Sequence, residues 1–94
     1  MKKQADSQAL LSAKDPLDAF RYALNVLKGR FVEAEPTIAT DPYYAYRYAL
    51  EVVKGRWKEA EANISTSQWI AYCYAIDVLG LNEVQAKTWG RNKG

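Results

Sequence analysis

The side chains best suited to chemistry in this chain are four glutamates, Glu33 with Glu35 and Glu59 with Glu61, two positions apart in each pair. Paired carboxylates can divide general-acid and general-base work when their environments push the two pKa values apart. Both pairs, however, stand in the same text, Glu-Ala-Glu, and Lys-Gly-Arg with an aromatic residue precedes each. A structural device recurs along a chain, whereas an active site is built once, so the recurrence argues for structure. Arg30 and Arg56 follow the glycines and can reach these carboxylates in the same or the adjacent segment. Exposed ion pairs are individually weak, but a lattice of them can fix spacing. There is no histidine, and the single cysteine, Cys73, has no basic neighbour to activate it. Cys73 is then a bland surface substitution or a weakly reactive thiol. Nitrogen and sulfur metal sites cannot be assembled from this composition. The expectation is a chain that is no enzyme and holds no cofactor and no metal.

Binding chemistry is better represented. Arg21, Lys28, Arg30, Arg47, Lys54 and Arg56 form a basic strip that could attract phosphates, although Glu33, Glu35, Glu51, Glu59 and Glu61 lie close in sequence. Arg47 and Glu51 are also spaced to pair along one helix. Among seven tyrosines and three tryptophans, Tyr22, Tyr48 and Tyr74 occupy one recurring position and are expected in the core or between segments. Tyr43, Tyr44 and Trp69 fall where the first segment has Leu17 and Asp18, which fits an interface hot spot or a cover on a small core.

These residues are carried by a tandem repeat. Residues 15–40 align without gaps on 41–66, with 16 of 26 positions identical, and the pattern resumes at Ser67 before it decays. A fixed period of this length marks units that bury their apolar faces on one another. In the second unit, Asp41-Pro42 reads as an N-cap followed by proline at the first helical position, and the helix runs through Lys54. Gly55 is expected to stop it by taking positive φ, and Gly29 does the same in the first unit. A shorter helix follows from Trp57 to about Ile64. Two helices per unit predict an all-α fold, a short α-solenoid of period 26 residues.

On the long helix, Ala45, Tyr48, Ala49 and Val52 make one apolar face and Tyr46, Leu50 and Val53 a second. Ala19, Tyr22, Ala23, Val26 and Phe20, Leu24, Leu27 match them in the first unit. An outer stripe is left for water: Asp18, Arg21, Asn25 and Lys28; then Tyr44, Arg47, Glu51 and Lys54; then Ile70, Cys73, Asp77 and Gly80. From this stripe and the first-turn aromatics, the candidate partner-binding residues are Arg21, Lys28, Tyr43, Tyr44, Arg47, Lys54 and Trp69.

The whole chain, 1–94, reads as one repeat domain: a capping helix within 1–14, repeats at 15–40 and 41–66, a degenerate repeat at 67–88 and a polar tail at 89–94. Ala9, Leu10 and Leu11 would cover the first unit. With so few units, a homo-oligomer formed through an imperfectly capped end is possible. The net charge of +2 is too small to argue for nucleic acid alone. One cysteine fits a reducing compartment, the start lacks an apolar signal run, and no stretch is long enough to cross a membrane, so a cytoplasmic location is expected.

The ordered string Ala45-Tyr46, Tyr48-Ala49, Val52, Lys54-Gly55-Arg56-Trp57, Glu59-Ala60-Glu61 resembles short tandem repeats of small bacteriophage and prophage proteins. The likeness covers residues 15–79, with Phe20 and Phe31 as the first-unit variants. In the third unit, Gly80-Leu81-Asn82 and Gln85-Ala86-Lys87 depart from it. The resemblance implies a phage origin and carries no site residues onto this chain. The expected function is a protein-binding module, a phage inhibitor or adaptor acting on a host or defence protein. Nucleic-acid or nucleotide binding through the basic strip, and structural self-assembly, are the alternatives.

Overall fold

Three side-chain caps start the three long helices of the computed structural model, which describes residues 13–90. Asp41 accepts from the N–H groups of Tyr43 (2.9 Å) and Tyr44 (3.3 Å), Asp15 from Asp18 (3.2 Å), and Ser67 from Ile70 (3.4 Å). Each cap residue is extended, which turns its oxygen back onto the unpaired donors of the first turn, and proline follows at positions 16 and 42. The helices so started are α1 (Pro16–Tyr22), α3 (Pro42–Tyr48) and α5 (Gln68–Asp77). The shorter ones are α2 (Glu35–Ile38), α4 (Glu61–Ile64) and α6 (Glu83–Thr88). Single 3-10 turns, Val32–Ala34 and Lys58–Ala60, lead into α2 and α4. Asn82 and Gln85 cap α6 reciprocally. All regular structure among the described residues is helical, and none of these helices is long and apolar enough to cross a membrane.

The ends of the long helices correct the sequence reading. α1 and α3 pass into π turns, Ala23–Leu27 and Ala49–Val53, rather than continuing as α-helix. The left-handed residues are Lys28 (φ 53°) and Lys54 (φ 60°), not Gly29 and Gly55. The π turn explains the shift. One carbonyl, that of Ala49, accepts from both Lys54 N–H (2.8 Å) and Gly55 N–H (3.2 Å), so the chain must reverse at Lys54. In the third segment Gly80 takes this place with φ 72°, and Leu81 N–H closes onto Ala75 at 3.0 Å. Leu81 stands where Gly55 does, so that position has no need of glycine.

α1 packs on α3 and α3 on α5, with α2 and α4 alongside. Fully buried Ala19, Ala23, Ala45, Ala49 and Ala75 let the helices approach, while Ile38 and Ile64 anchor the short helices beneath. Asn63 ties α4 to the preceding short helix, donating to the Ala39 carbonyl at 2.9 Å. Val26 and Leu27 do not join the buried faces expected for them, being 55% and 44% exposed. Val52 lines a cleft with Leu24 of the preceding helix, and no described helix stands in that relation to Val26. The expected capping helix, 1–14, lies outside the described residues except for Ala13 and Lys14, which form a turn with Ala13 packed on the core, and most of the polar tail lies outside them too.

Candidate interaction surface

Arg30 and Arg56 pair within their own segments, with Glu35 and Glu61, and a tyrosine of the following segment joins each pair to its neighbour. Glu35 receives Arg30 through Nε at 2.7 Å and Nη2 at 2.9 Å, and its Oε2 also accepts the Tyr48 hydroxyl at 2.7 Å. That hydroxyl in turn accepts the Phe31 N–H at 2.7 Å. The arrangement recurs at the next junction. Glu61 takes Arg56 at 2.7 and 3.0 Å and Tyr74 at 2.7 Å, while Tyr74 accepts the Trp57 N–H at 2.9 Å. A tyrosine buried on one long helix thus reaches back to a carboxylate and a backbone donor of the preceding segment.

Burial works against the charge of Glu35, but hydrogen bonds from Arg30 and Tyr48 outweigh it, so the carboxyl sits below its ordinary pKa. Burial above all, with the neighbouring carboxylates, pushes the Tyr48 and Tyr74 hydroxyls well above the usual phenol range. Glu33 and Glu59, the first members of the pairs, are exposed. In the third segment Asn82 and Lys87 replace the arginine and the second glutamate. Trp89, from a different position in the segment, packs on Tyr74 at 5.1 Å, as Phe31 does on Tyr22 (5.1 Å) and Trp57 on Tyr48 (4.8 Å).

A second contact joins the long helices, and it removes Arg47 from the free outer stripe. The Arg47 guanidinium lies 5.2 Å from the Phe20 ring centre and 5.7 Å from that of Tyr43. It donates to the Glu51 carboxylate and, at 2.8 Å, to the Tyr43 hydroxyl. At the next junction Tyr46 replaces Phe20, and Cys73 and Asp77 replace Arg47 and Glu51. There the Tyr46 hydroxyl donates to Asp77. A phenol finds a carboxylate where a plain ring found a cation. Cys73 is half-buried, and burial together with Asp77 pushes its thiol pKa up, away from nucleophilic character.

The remaining candidate residues separate into two groups. Tyr43 is 41% exposed and Trp69 67% exposed. Trp69 lies flat on Tyr72, with centroids 5.7 Å apart and 25° between planes. Tyr44 is half-buried against Phe20 at 6.0 Å and meets Tyr43 edge-on at 5.0 Å. These aromatics occupy the starts of α3 and α5. Lys28 and Lys54 close the π turns that follow α1 and α3, at the opposite end and roughly 16 Å away by helix rise. Arg21 is exposed in the last turn of α1. The expected single stripe therefore divides into an aromatic end and a lysine end. Tyr72 as the platform beneath Trp69 escaped the sequence reading, because its homologues Phe20 and Tyr46 belong to the junctions.

Compared with protein-family models, with curated proteins and with solved structures, the chain matches none.

Proposed function

We propose that the chain is a non-catalytic module that binds another protein through the exposed aromatics at the starts of α3 and α5. In this reading residues 15–40, 41–66 and 67–88 are units of a short α-solenoid with a 26-residue period. The recurrence of cap, π turn, left-handed residue and Tyr–Glu–Arg junction supports that architecture. The observation that carries the function is the pair Tyr43 and Trp69. Both are large, exposed and already fixed, one by Arg47 and the other by Tyr72, so binding loses little rotamer freedom. Arg30, Arg47 and Arg56 are committed to carboxylates, which weighs against nucleic-acid binding along the whole strip.

The resemblance to phage repeats favours an inhibitor or adaptor that meets a host or defence protein in the host cytoplasm. The test is affinity capture from a nuclease-treated bacterial lysate by the wild type and by a Tyr43→Ser, Trp69→Ser variant. One host protein retained in stoichiometric amount by the wild type and lost by the variant is expected. Equal retention by both would reject the aromatic surface. Exposed Val26 and Leu27 favour a second reading, self-association through the start of the stack, which a Val26→Asp variant would abolish in analytical ultracentrifugation.

A further inference from the structure

Two lysines are held in a backbone conformation that costs an ordinary residue free energy, although the turn works without them. Lys28 and Lys54 both take positive φ, and in the third segment Gly80 makes the same reversal freely. Strain retained where a glycine serves is a pointer to use. Neither lysine has an ion pair among the described residues, in contrast to Arg30, Arg47 and Arg56. Both line one open cleft of about 330 Å³ between the ends of α1 and α3, with Ala23 and Val52 as its apolar wall. This is the lower range of ligand-pocket volumes, about 300–1,000 Å³. Glu51 also borders the cleft, but its carboxylate is turned to Arg47. The carbonyls of Ala23 and Ala49, which would repel an anion, each accept two N–H donors from the turn.

We propose that this cleft binds a phosphoryl group, gripped between the Lys28 and Lys54 ammonium groups. The site is separate from the aromatic surface and does not depend on the protein-binding reading. The phosphoryl group can belong to a free polyphosphate or nucleotide, or to a nucleic-acid backbone. The plain competing role for both lysines is to balance the negative ends of their helices. Glycine substitution separates the two roles, because Gly80 shows that the turn survives it.

The experiment is a titration of the full-length chain, followed by amide NMR, first with inorganic pyrophosphate and then with oligothymidylate at low salt. Saturable shifts at Lys28, Gly29, Lys54 and Gly55 are expected. Response to pyrophosphate assigns the free-polyphosphate source, and response to the oligonucleotide alone assigns the backbone. In the Lys28→Gly, Lys54→Gly variant, binding weakens at least about tenfold, the effect of one lost charge-assisted contact, while the thermal midpoint rises. No saturable shift with either probe, shifts that persist in the variant, or a lower midpoint for it would each overturn the proposal.

Discussion

Replacing Tyr74 by phenylalanine removes one oxygen from the junction between the second and third segments and leaves the ring on Trp89. That oxygen donates to Glu61 at 2.7 Å and accepts the Trp57 N–H at 2.9 Å in a fully buried setting. Glu61 keeps Arg56, but the Trp57 N–H loses its acceptor. A hydrogen bond to a charged group is worth about 1.5–3 kcal/mol, and an orphaned buried donor costs about 1–3 kcal/mol. The two are not independent, so the expected loss is about 2–4 kcal/mol, a large share of the roughly 5–15 kcal/mol that holds a domain together. Urea unfolding followed by circular dichroism reads the loss, and amide exchange at Trp57 localises it. Tyr48→Phe should behave alike through Phe31. Tyr22→Phe is the control, since the Tyr22 hydroxyl bonds to no described residue, and it should be close to neutral. A Tyr74→Phe loss below about 0.5 kcal/mol, with Trp57 exchange unchanged, would refute the junction as described.

Other expectations follow from the same geometry. Gly80→Ala should lose about 1 kcal/mol in thermal unfolding because Gly80 is left-handed, whereas Gly55→Ala should be neutral or stabilising, since its Cβ meets nothing within 4 Å. Glu35, with its pKa lowered on folding, adds stability above the unfolded-state value near 4.3, and this is lost as pH falls below it; Glu35→Gln should flatten that acid limb. Tyr46, Tyr48 and Tyr74 have raised values, so their contribution is complete below about pH 10 and drains away as pH rises further, giving alkaline unfolding that Tyr46→Phe moderates. Cys73 should alkylate more slowly at pH 8 than a free thiol, as mass spectrometry would show; faster reaction would contradict its burial beside Asp77.

Much of the architecture is legible in the chain. Asp15-Pro16, Asp41-Pro42 and Ser67 mark helix starts because capping is local chemistry, and the alanines and tyrosines of the long helices follow an apolar spacing that burial imposes. The pairing of Arg30 and Arg56 with the glutamates is also readable, since like text recurs at like spacing. Other features depend on tertiary context. The π turns shift hydrogen bonding by one residue without altering the apolar pattern, so the reversal at Lys28 and Lys54 passes for one at the adjacent glycines. Nothing in Glu-Ala-Glu distinguishes Glu35, which meets Tyr48 across the junction, from Glu33, which faces water. Arg47 reads as a solvent-facing cation until Phe20 of the neighbouring helix is placed beneath it. Trp89 is expected from the sequence to tuck against the third unit and does, but that it meets Tyr74 in the role of Phe31 and Trp57 depends on a chain course outside the aligned position.

Three of the four described arginines serve the fold, and Tyr43 and Trp69 are proposed to meet a protein partner. The most direct test of that proposal is the affinity of the captured partner measured while salt rises fourfold, from about 50 to about 200 mM. A change of no more than a few fold is expected. Simultaneous use of Arg21, Lys28 and Lys54, which form no ion pair among the described residues, on a nucleic acid would give a slope near −2.7, a loss of roughly fortyfold, and a loss of that size would rule out the aromatic surface as the main contact.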